Sequence, residues 1–293
     1  MRSLYDISAP AKLNLFLHVT GKRTDGYHLL QSAFALIDWC DTLHFDLRGD
    51  GAISREDLGA ALPDQDLMVR AATALQNFSG SRHGVHIGVE KKIPVQAGLG
   101  GGSSDAASCL LALNRLWQLN LPLAQLSRLG LELGADVPFF LTGRNAWVEG
   151  IGEKIRPMEL AAARYLVVKP QDGLQTGLIF AHPQLEIRTE TATISGFAAN
   201  PQGFGSNDLQ TIAQRLCPGV TQALEWLATR GLAGRMTGSG SAVFAWARQG
   251  NHEVEEFDLG DAPNSFLARW CTGLDVHPLV GWAAGEYLPV GGD

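Results

Sequence analysis

Cysteine is scarce, with only 4 in 293 residues. Cys40, Cys109, Cys217 and Cys271 are scattered and form no C-x-x-C pair. That excludes a disulfide framework and a cysteine zinc knuckle, and it predicts reduced thiols in a cytoplasmic protein. The 8 histidines include no H-E-x-x-H spacing. An excess of positive charge is also missing. Lys and Arg number 23 against 30 Asp and Glu, a net charge of −7, which argues against a broad basic surface for nucleic acid. No run approaches the ~20 apolar residues of a membrane span. Only Arg2 precedes Asp6 and no apolar h-region follows, so no signal peptide is expected. The composition is 45% hydrophobic and 18% charged, globular values in a chain long enough for two domains with real cores.

Glycine is what the chain has in concentration. Pro94-Val95-Gln96-Ala97-Gly98-Leu99-Gly100-Gly101-Gly102-Ser103-Ser104-Asp105 places four glycines in five positions ahead of two serines. Glycine admits positive φ and close backbone approach, and successive N–H groups in such a loop make an anion-binding concavity. Upstream, Val85, Ile87 and Val89 alternate with His86, Gly88 and Glu90, a half-buried strand. Downstream, Ala106, Cys109, Leu110, Leu113, Leu116 and Trp117 recur at helical spacing. A strand, a glycine loop and a helix N-terminus together predict a phosphate cradle, with ATP as the ligand. Ser103 and Ser104 can each cap the helix, hold a phosphate oxygen or face Mg²⁺. The loop lacks the Lys-Ser/Thr of a Walker A motif and the third glycine of a dinucleotide fingerprint.

Along the chain, residues 4–19 read as strand, with Lys12 and Asn14 on one face and Leu13, Leu15 and Leu17 on the other. Thr24-Asp25-Gly26 is a turn. Helices are predicted over 67–78, over 122–133 with Pro122 at the start and Gly134 ending it, and around 208–216 and 220–229. A second glycine loop, Met236-Thr237-Gly238-Ser239-Gly240-Ser241, precedes a strand at 242–247. A linker is expected within 156–163 and a loose tail over 280–293. Mixed elements without regular βαβ repetition predict an α+β fold. Trp39, Trp117 and Trp147 are expected in the core.

Three motifs stand in order: Pro10-Ala11-Lys12-Leu13-Asn14-Leu15 with Asp25-Gly26-Tyr27-His28 downstream, the Gly98–Ala106 loop, and Gly234–Ser241. With Gly134-Ala135-Asp136-Val137-Pro138-Phe139-Phe140, this arrangement resembles the GHMP small-molecule kinases over residues 8 to 247. It is most similar to members acting on 4-diphosphocytidyl-2-C-methyl-D-erythritol, on the methylerythritol phosphate route to isoprenoid precursors. The resemblance implies an S5-like ATP-binding domain over 1–158 and a ferredoxin-like domain over 159–293, with the active site in the cleft between them. It also implies ATP as co-substrate with Mg²⁺, no nucleic-acid or membrane partner, and a monomer or weak homodimer. The rivals are a GHMP kinase for homoserine, mevalonate or a sugar, a decarboxylase of the same fold, and a non-catalytic metabolite sensor. A base-binding Tyr27-His28 pair argues against the first, and retention of both Lys12 and Asp136 argues against the last.

The resemblance also assigns residues. Asp136 matches the catalytic carboxylate, which accepts the hydroxyl proton as the phosphorus–oxygen bond forms. Lys12 matches the active-site cation that orients it and offsets charge near the attacking oxygen. Pro94, Ala97, Gly98, Leu99, Gly100, Gly101, Gly102, Ser103 and Ser104 would hold ATP, with Ser104 on the Mg²⁺ side. Asp66 stands where relatives have an asparagine near adenine. Tyr27 would stack on cytosine, His28 would bond its polar edge, and Phe180 would supply the opposite face. Asn14 and Thr176 would meet the methylerythritol or diphosphate part, and Gly238, Ser239 and Gly240 would close on the substrate phosphates. The expected Ser-Pro-Leu near the end is replaced by His277-Pro278-Leu279.

Overall fold

The computed structural model describes residues 2–59, 61–62, 66–188, 190–249, 252–253, 256–260 and 262–285. Two long strands, β1 (Ser3–Lys22) and β2 (His28–Arg48), pair antiparallel around the Asp25-Gly26 turn, where Gly26 takes φ +93°. β1 is buried on both faces from Ala9 to Val19, so the period-2 alternation sorts two interiors rather than core and solvent. It carries register shifts at Pro10/Ala11 and between Asn14 and Leu17. Proline has no N–H for a ladder, which suits Pro10 to such an irregularity.

β3 (Ile53–Asp57) runs parallel to β4 (Gly84–Glu90), connected through α1 (Leu67–Ser79). β4 pairs antiparallel with β2. Against this sheet lie α2 (Gly101–Leu116), α3 (Leu123–Leu133) and α4 (Val137–Thr142). α2 buries residues all round its surface, as a central helix must. β5 (Ala146–Gly150) joins β2, and β6 (Lys154–Pro157) joins β5.

The second half opens with β7 (Arg164–Pro170) and continues through α5 (Thr176–Phe180), α6 (Ile194–Ala199), α7 (Gln210–Leu216) and α8 (Pro218–Ala228). It ends in β8 (Arg235–Met236), β9 (Val243–Trp246), β10 (Arg248–Gln249), β11 (His252–Glu253) and β12 (Phe266–Leu274). β7 lies between β12 and β9, antiparallel to both. The end of β12 also pairs with β2 at Ile37 and Leu36, which makes one ten-stranded sheet across both halves. This is the predicted α+β architecture.

The core has three parts. One packs α1–α4 on β2 and β4, one lies between β1 and β7/β9, and one packs α7 and α8 on β7 and β9. Trp39, Trp117 and Trp147 are all buried. No described helix is long and apolar enough to cross a membrane.

Two expectations need correction. α2 starts at Gly101 with Gly100 as its N-cap at φ +73°, and neither serine supplies a capping bond. The helix starts earlier because Gly100 can take the left-handed conformation that turns the chain into it. The expected loose tail is anchored as far as Ala284: Arg115 lies 4.6 Å over the Trp282 ring, and the Leu123 N–H donates to the Ala284 carbonyl at 2.9 Å. Residues 286–293 of that expectation lie outside the described residues.

Candidate functional site

The site forms where two glycine loops meet. The N–H groups of Ser241 and Ala242 donate to the carbonyls of Gln96 and Ala97 at 3.2 and 3.1 Å. At Gly98, φ +73°, a Cβ would stand 2.3 Å from the Thr237 carbonyl oxygen. At Gly238, φ +54°, it would stand 2.7 Å from the Gly98 oxygen. Only glycine permits this backbone-to-backbone approach. Because α2 has no side-chain cap, its first-turn N–H groups are left for a ligand beside the loop.

β1 delivers the charged centre. The Lys12 N–H donates to the Leu99 carbonyl at 2.9 Å, which fixes the strand beside the loop. The buried Lys12 ammonium donates to Asn14 Oδ1, lies 4.6 Å over the Phe34 ring and stands 3.4 Å from Asp136 Oδ2. Asp136 occupies the N-cap position of α4, yet its side chain makes no capping bond. A residue type that ordinarily caps here turns its carboxylate to the ammonium instead. Asn14 is locked in turn: its N–H donates to Thr237 Oγ1 at 2.8 Å and its Nδ2 to Ser32 Oγ at 2.9 Å.

These groups border one cavity of about 1010 Å³. Lys12, Asn14, Tyr27, His28, Pro94, Ala97, Gly98, Leu99, Gly100, Gly101, Gly102, Ser103, Asp136, Thr176, Phe180, Gly238, Ser239 and Gly240 all line it. Most of the residues assigned from sequence therefore converge on a space large enough for two ligands. Thr176 and Ser239 join through their hydroxyls at 2.7 Å.

Two assignments fall off the cavity lining. The Ser104 hydroxyl is buried, without a hydrogen-bond partner, outside the cavity lining, because it projects from α2 into the core while Ser103 faces the cavity. Asp66 does not line the cavity either. One carboxylate oxygen caps α1 by accepting from the Val69 N–H at 2.8 Å, and the other pairs with Arg55 at 2.6 Å. Phe180 lines the cavity and stacks on His28, with centroids 5.4 Å apart and planes 27° from parallel. Tyr27 is 61% exposed at the rim. Burial, with Lys22 nearby, lowers the His28 pKa and favours the neutral ring.

A buried charge cluster beneath the loop escaped the sequence reading. Lys91 lines the cavity and donates to Asp41 and, at 2.6 Å, to Asp105 on α2. Asp41 Oδ1 also accepts the N–H groups of Lys92 and Ile93, at 2.5 and 2.8 Å. Lys91 directly before the loop and Asp105 in the first apolar helical turn were the available signal, but Asp41 lies far off in sequence. One ammonium cannot neutralise two buried carboxylates, and Asp105 Oδ1 has no partner. Burial pushes the Asp105 carboxyl up to about 8, against the pull of Lys91. A raised acid pKa means the folded state holds a proton that the unfolded chain has lost, so the contribution of Asp105 to stability falls as pH rises from the ordinary carboxylate range toward 8. Asp105→Asn, which mimics the protonated carboxyl, should flatten that slope. Thermal melts across this window check it, and an unchanged slope would remove the proton from Asp105.

The comparisons with known proteins identify the family. The GHMP kinases N terminal domain model matches residues 66–144 and the GHMP kinases C terminal model matches residues 195–257. The chain is 68% identical over 291 residues to a 4-diphosphocytidyl-2-C-methyl-D-erythritol kinase of Albidiferax ferrireducens, covering 99% of each. It is 60% identical to the protein of that name from Variovorax paradoxus, covering 97% of this chain and 100% of the relative. Among solved structures, a 4-(cytidine 5'-diphospho)-2C-methyl-D-erythritol kinase superposes with TM-score 0.69 at 34% identity, over 83% of this chain and 89% of that one. A homoserine kinase from Cytophaga hutchinsonii superposes with TM-score 0.68 at 16% identity, over 94% and 96%, a likeness of fold.

Proposed function

Because the chain belongs to the GHMP kinases, and among them to the 4-diphosphocytidyl-2-C-methyl-D-erythritol kinases, we infer that it transfers the γ-phosphoryl group of ATP to the 2-hydroxyl of 4-diphosphocytidyl-2-C-methyl-D-erythritol. The geometry that carries this reading is the Lys12–Asp136 pair, 3.4 Å apart at the mouth of an uncapped helix and between two glycine loops.

The glycine loop and the first turn of α2 hold the β- and γ-phosphates of ATP through backbone N–H groups. Asp136 accepts the proton of the 2-hydroxyl. The freed oxygen bonds to the γ-phosphorus as the bond to the β-phosphate bridging oxygen breaks, releasing ADP. Lys12, held by Asn14 and Phe34, keeps Asp136 in place and offsets charge on the attacking oxygen. Tyr27 and Phe180 offer stacking faces to cytosine and the neutral His28 its polar edge. Thr176 and Ser239 supply hydroxyls toward the diphosphate.

The donor set does not make a metal cage. Among the described residues no three His, Cys, Asp or Glu side chains converge, and the carboxylates on the cavity are Asp25 and Asp136. Mg²⁺ then fits as the partner of the ATP phosphates, which supply most of its oxygen ligands and gain charge neutralisation from it. Of the two serines, Ser103 is the one at the cavity. The division at residues 158 and 159 is supported by the irregular stretch 158–163 between β6 and β7. The four free thiols support a reducing, cytoplasmic setting.

The test is ADP release with ATP, Mg²⁺ and the cytidyl substrate, with mevalonate, homoserine and galactose as controls. Turnover with the cytidyl substrate alone is expected. Turnover with a control instead would overturn the roles of Tyr27, His28 and Phe180, and silence on all four would favour a sensor.

A further inference from the structure

The segment 205–208, between α6 and α7, straps β1 to the second glycine loop. The Leu17 N–H donates to the Ser206 carbonyl, and the Asp208 N–H returns to the Leu17 carbonyl, both at 2.9 Å. This occurs where β1 slips register on β2, between Asn14 and Leu17. The bulge turns Leu17's backbone groups from β2 to the strap. Asp208 Oδ2 then accepts the Val19 N–H at 2.9 Å.

Within this strap Asn207 is 5% exposed, and its carboxamide is fully engaged. Nδ2 donates to the carbonyls of Met236 and Gly238, both at 2.8 Å, while Oδ1 accepts the Leu209 N–H at 3.0 Å. Only this flip of the amide satisfies all three, since the other sets oxygen against two carbonyl oxygens and nitrogen against an N–H. A trans peptide is planar, with its N–H opposite its C=O. Tying the Gly238 oxygen to Asn207 therefore aims the Ser239 N–H away from Asn207. Gly238 and Ser239 line the cavity and Asn207 does not. Ser239 stands between the ATP loop, which Gly238 touches through Gly98, and Thr176 at the start of α5.

We propose that Asn207 is a positioning residue: it fixes the Gly238–Ser239 peptide so that the Ser239 N–H serves as a preset donor to a diphosphate oxygen of the acceptor substrate. Asn207 touches no reacting atom. A donor oriented before the substrate arrives needs no reorganisation when charge is bound. This assignment rests on the kinase reading above.

Asn207→Asp keeps the volume and the acceptor for Leu209 but loses both donations and sets a carboxylate against two carbonyls. It should lower kcat/KM for the cytidyl substrate about ten-fold or more while the KM for ATP stays within about two-fold. Asn207→Ala, with no opposing charge, should move the same way by less, and it carries the test if Asn207→Asp does not fold. Values of kcat/KM within two-fold of wild type, or KM rising equally for both substrates as the melting temperature falls, would overturn the proposal. A second readout needs no turnover. Cytidine 5'-diphosphate should slow amide exchange over residues 236–241 in the wild type and fail to do so in Asn207→Asp. If the wild type does not phosphorylate the cytidyl substrate, the kinase reading fails and exchange alone decides. Equal protection in both proteins, or none in the wild type, would overturn the role of Asn207.

Discussion

Asp136→Asn is expected to fold and bind ATP as the wild type does and to lose turnover by roughly 10² or more, the range of a positioned general base. The substitution keeps the side chain's shape at the N-cap of α4, where no capping bond depends on the carboxylate, so the melting temperature should hardly move. What disappears is the acceptor for the hydroxyl proton and the anion 3.4 Å from the Lys12 ammonium. Because phosphoryl transfer runs through a loose transition state in most analyses, position and charge outweigh base strength. Lys12→Met should therefore also cost turnover, and the double variant should lose less than the product of the two, since the pair acts as a unit. Steady-state rates with the KM for both substrates check this. Turnover near the wild type in Asp136→Asn would remove that carboxylate from the mechanism.

Gly98→Ala is the second large effect. At φ +73° its Cβ would meet the Thr237 carbonyl oxygen at 2.3 Å and the Gly240 nitrogen at 2.9 Å. Both are backbone atoms, so relief requires the two glycine loops to part. The expected cost is about 1–3 kcal/mol in stability from the strained conformation and displaced contact. The KM for ATP should rise on the order of ten-fold, because a misplaced cradle loses its alignment with the phosphates. Gly102→Ala is the matched control for stability. Gly102 is within α2, and its nearest neighbour would be Leu67 Cδ1 at an ordinary 3.5 Å. Alanine there should hold or raise stability by about 0.5–1 kcal/mol, since glycine is the poorer helix former. Denaturant midpoints of the two variants should diverge, and ATP titration of Gly98→Ala checks the second effect. If Gly98→Ala matched the wild type in both, the two loops would not be in contact in solution.

The phosphate loop, α1, α3 and the turn at Thr24-Asp25-Gly26 were legible because glycine, proline and hydrophobic period act locally. Local rules also misled at particular places. Capping was one of three tasks open to the two serines, but Gly100 had already turned the chain. Asp66 read as a ligand by position, yet its capping role over Val69 was the ordinary chemistry of its residue type. The stacking of His28 on Phe180 has no sequence signal, since the two lie on separate elements. The Asp41–Lys91–Asp105 cluster and the carboxamide of Asn207 carry no local signature, since their partners lie on other elements.

By itself the sequence determined the chemistry available. It supplied a glycine loop ahead of a helix, a lysine in a strand and an aspartate before a proline-containing helix. These depend on backbone freedom, periodicity and side-chain type, which are properties of short segments. The tertiary structure decided which of those groups meet. It brought Lys12 to Asp136 across 124 positions, set Gly98 against Thr237, buried the Ser104 hydroxyl away from the cavity and gave Asp66 to capping α1. Such choices follow from packing a ten-stranded sheet against its helices, where burial forces each polar group to find a partner that only the folded chain can supply.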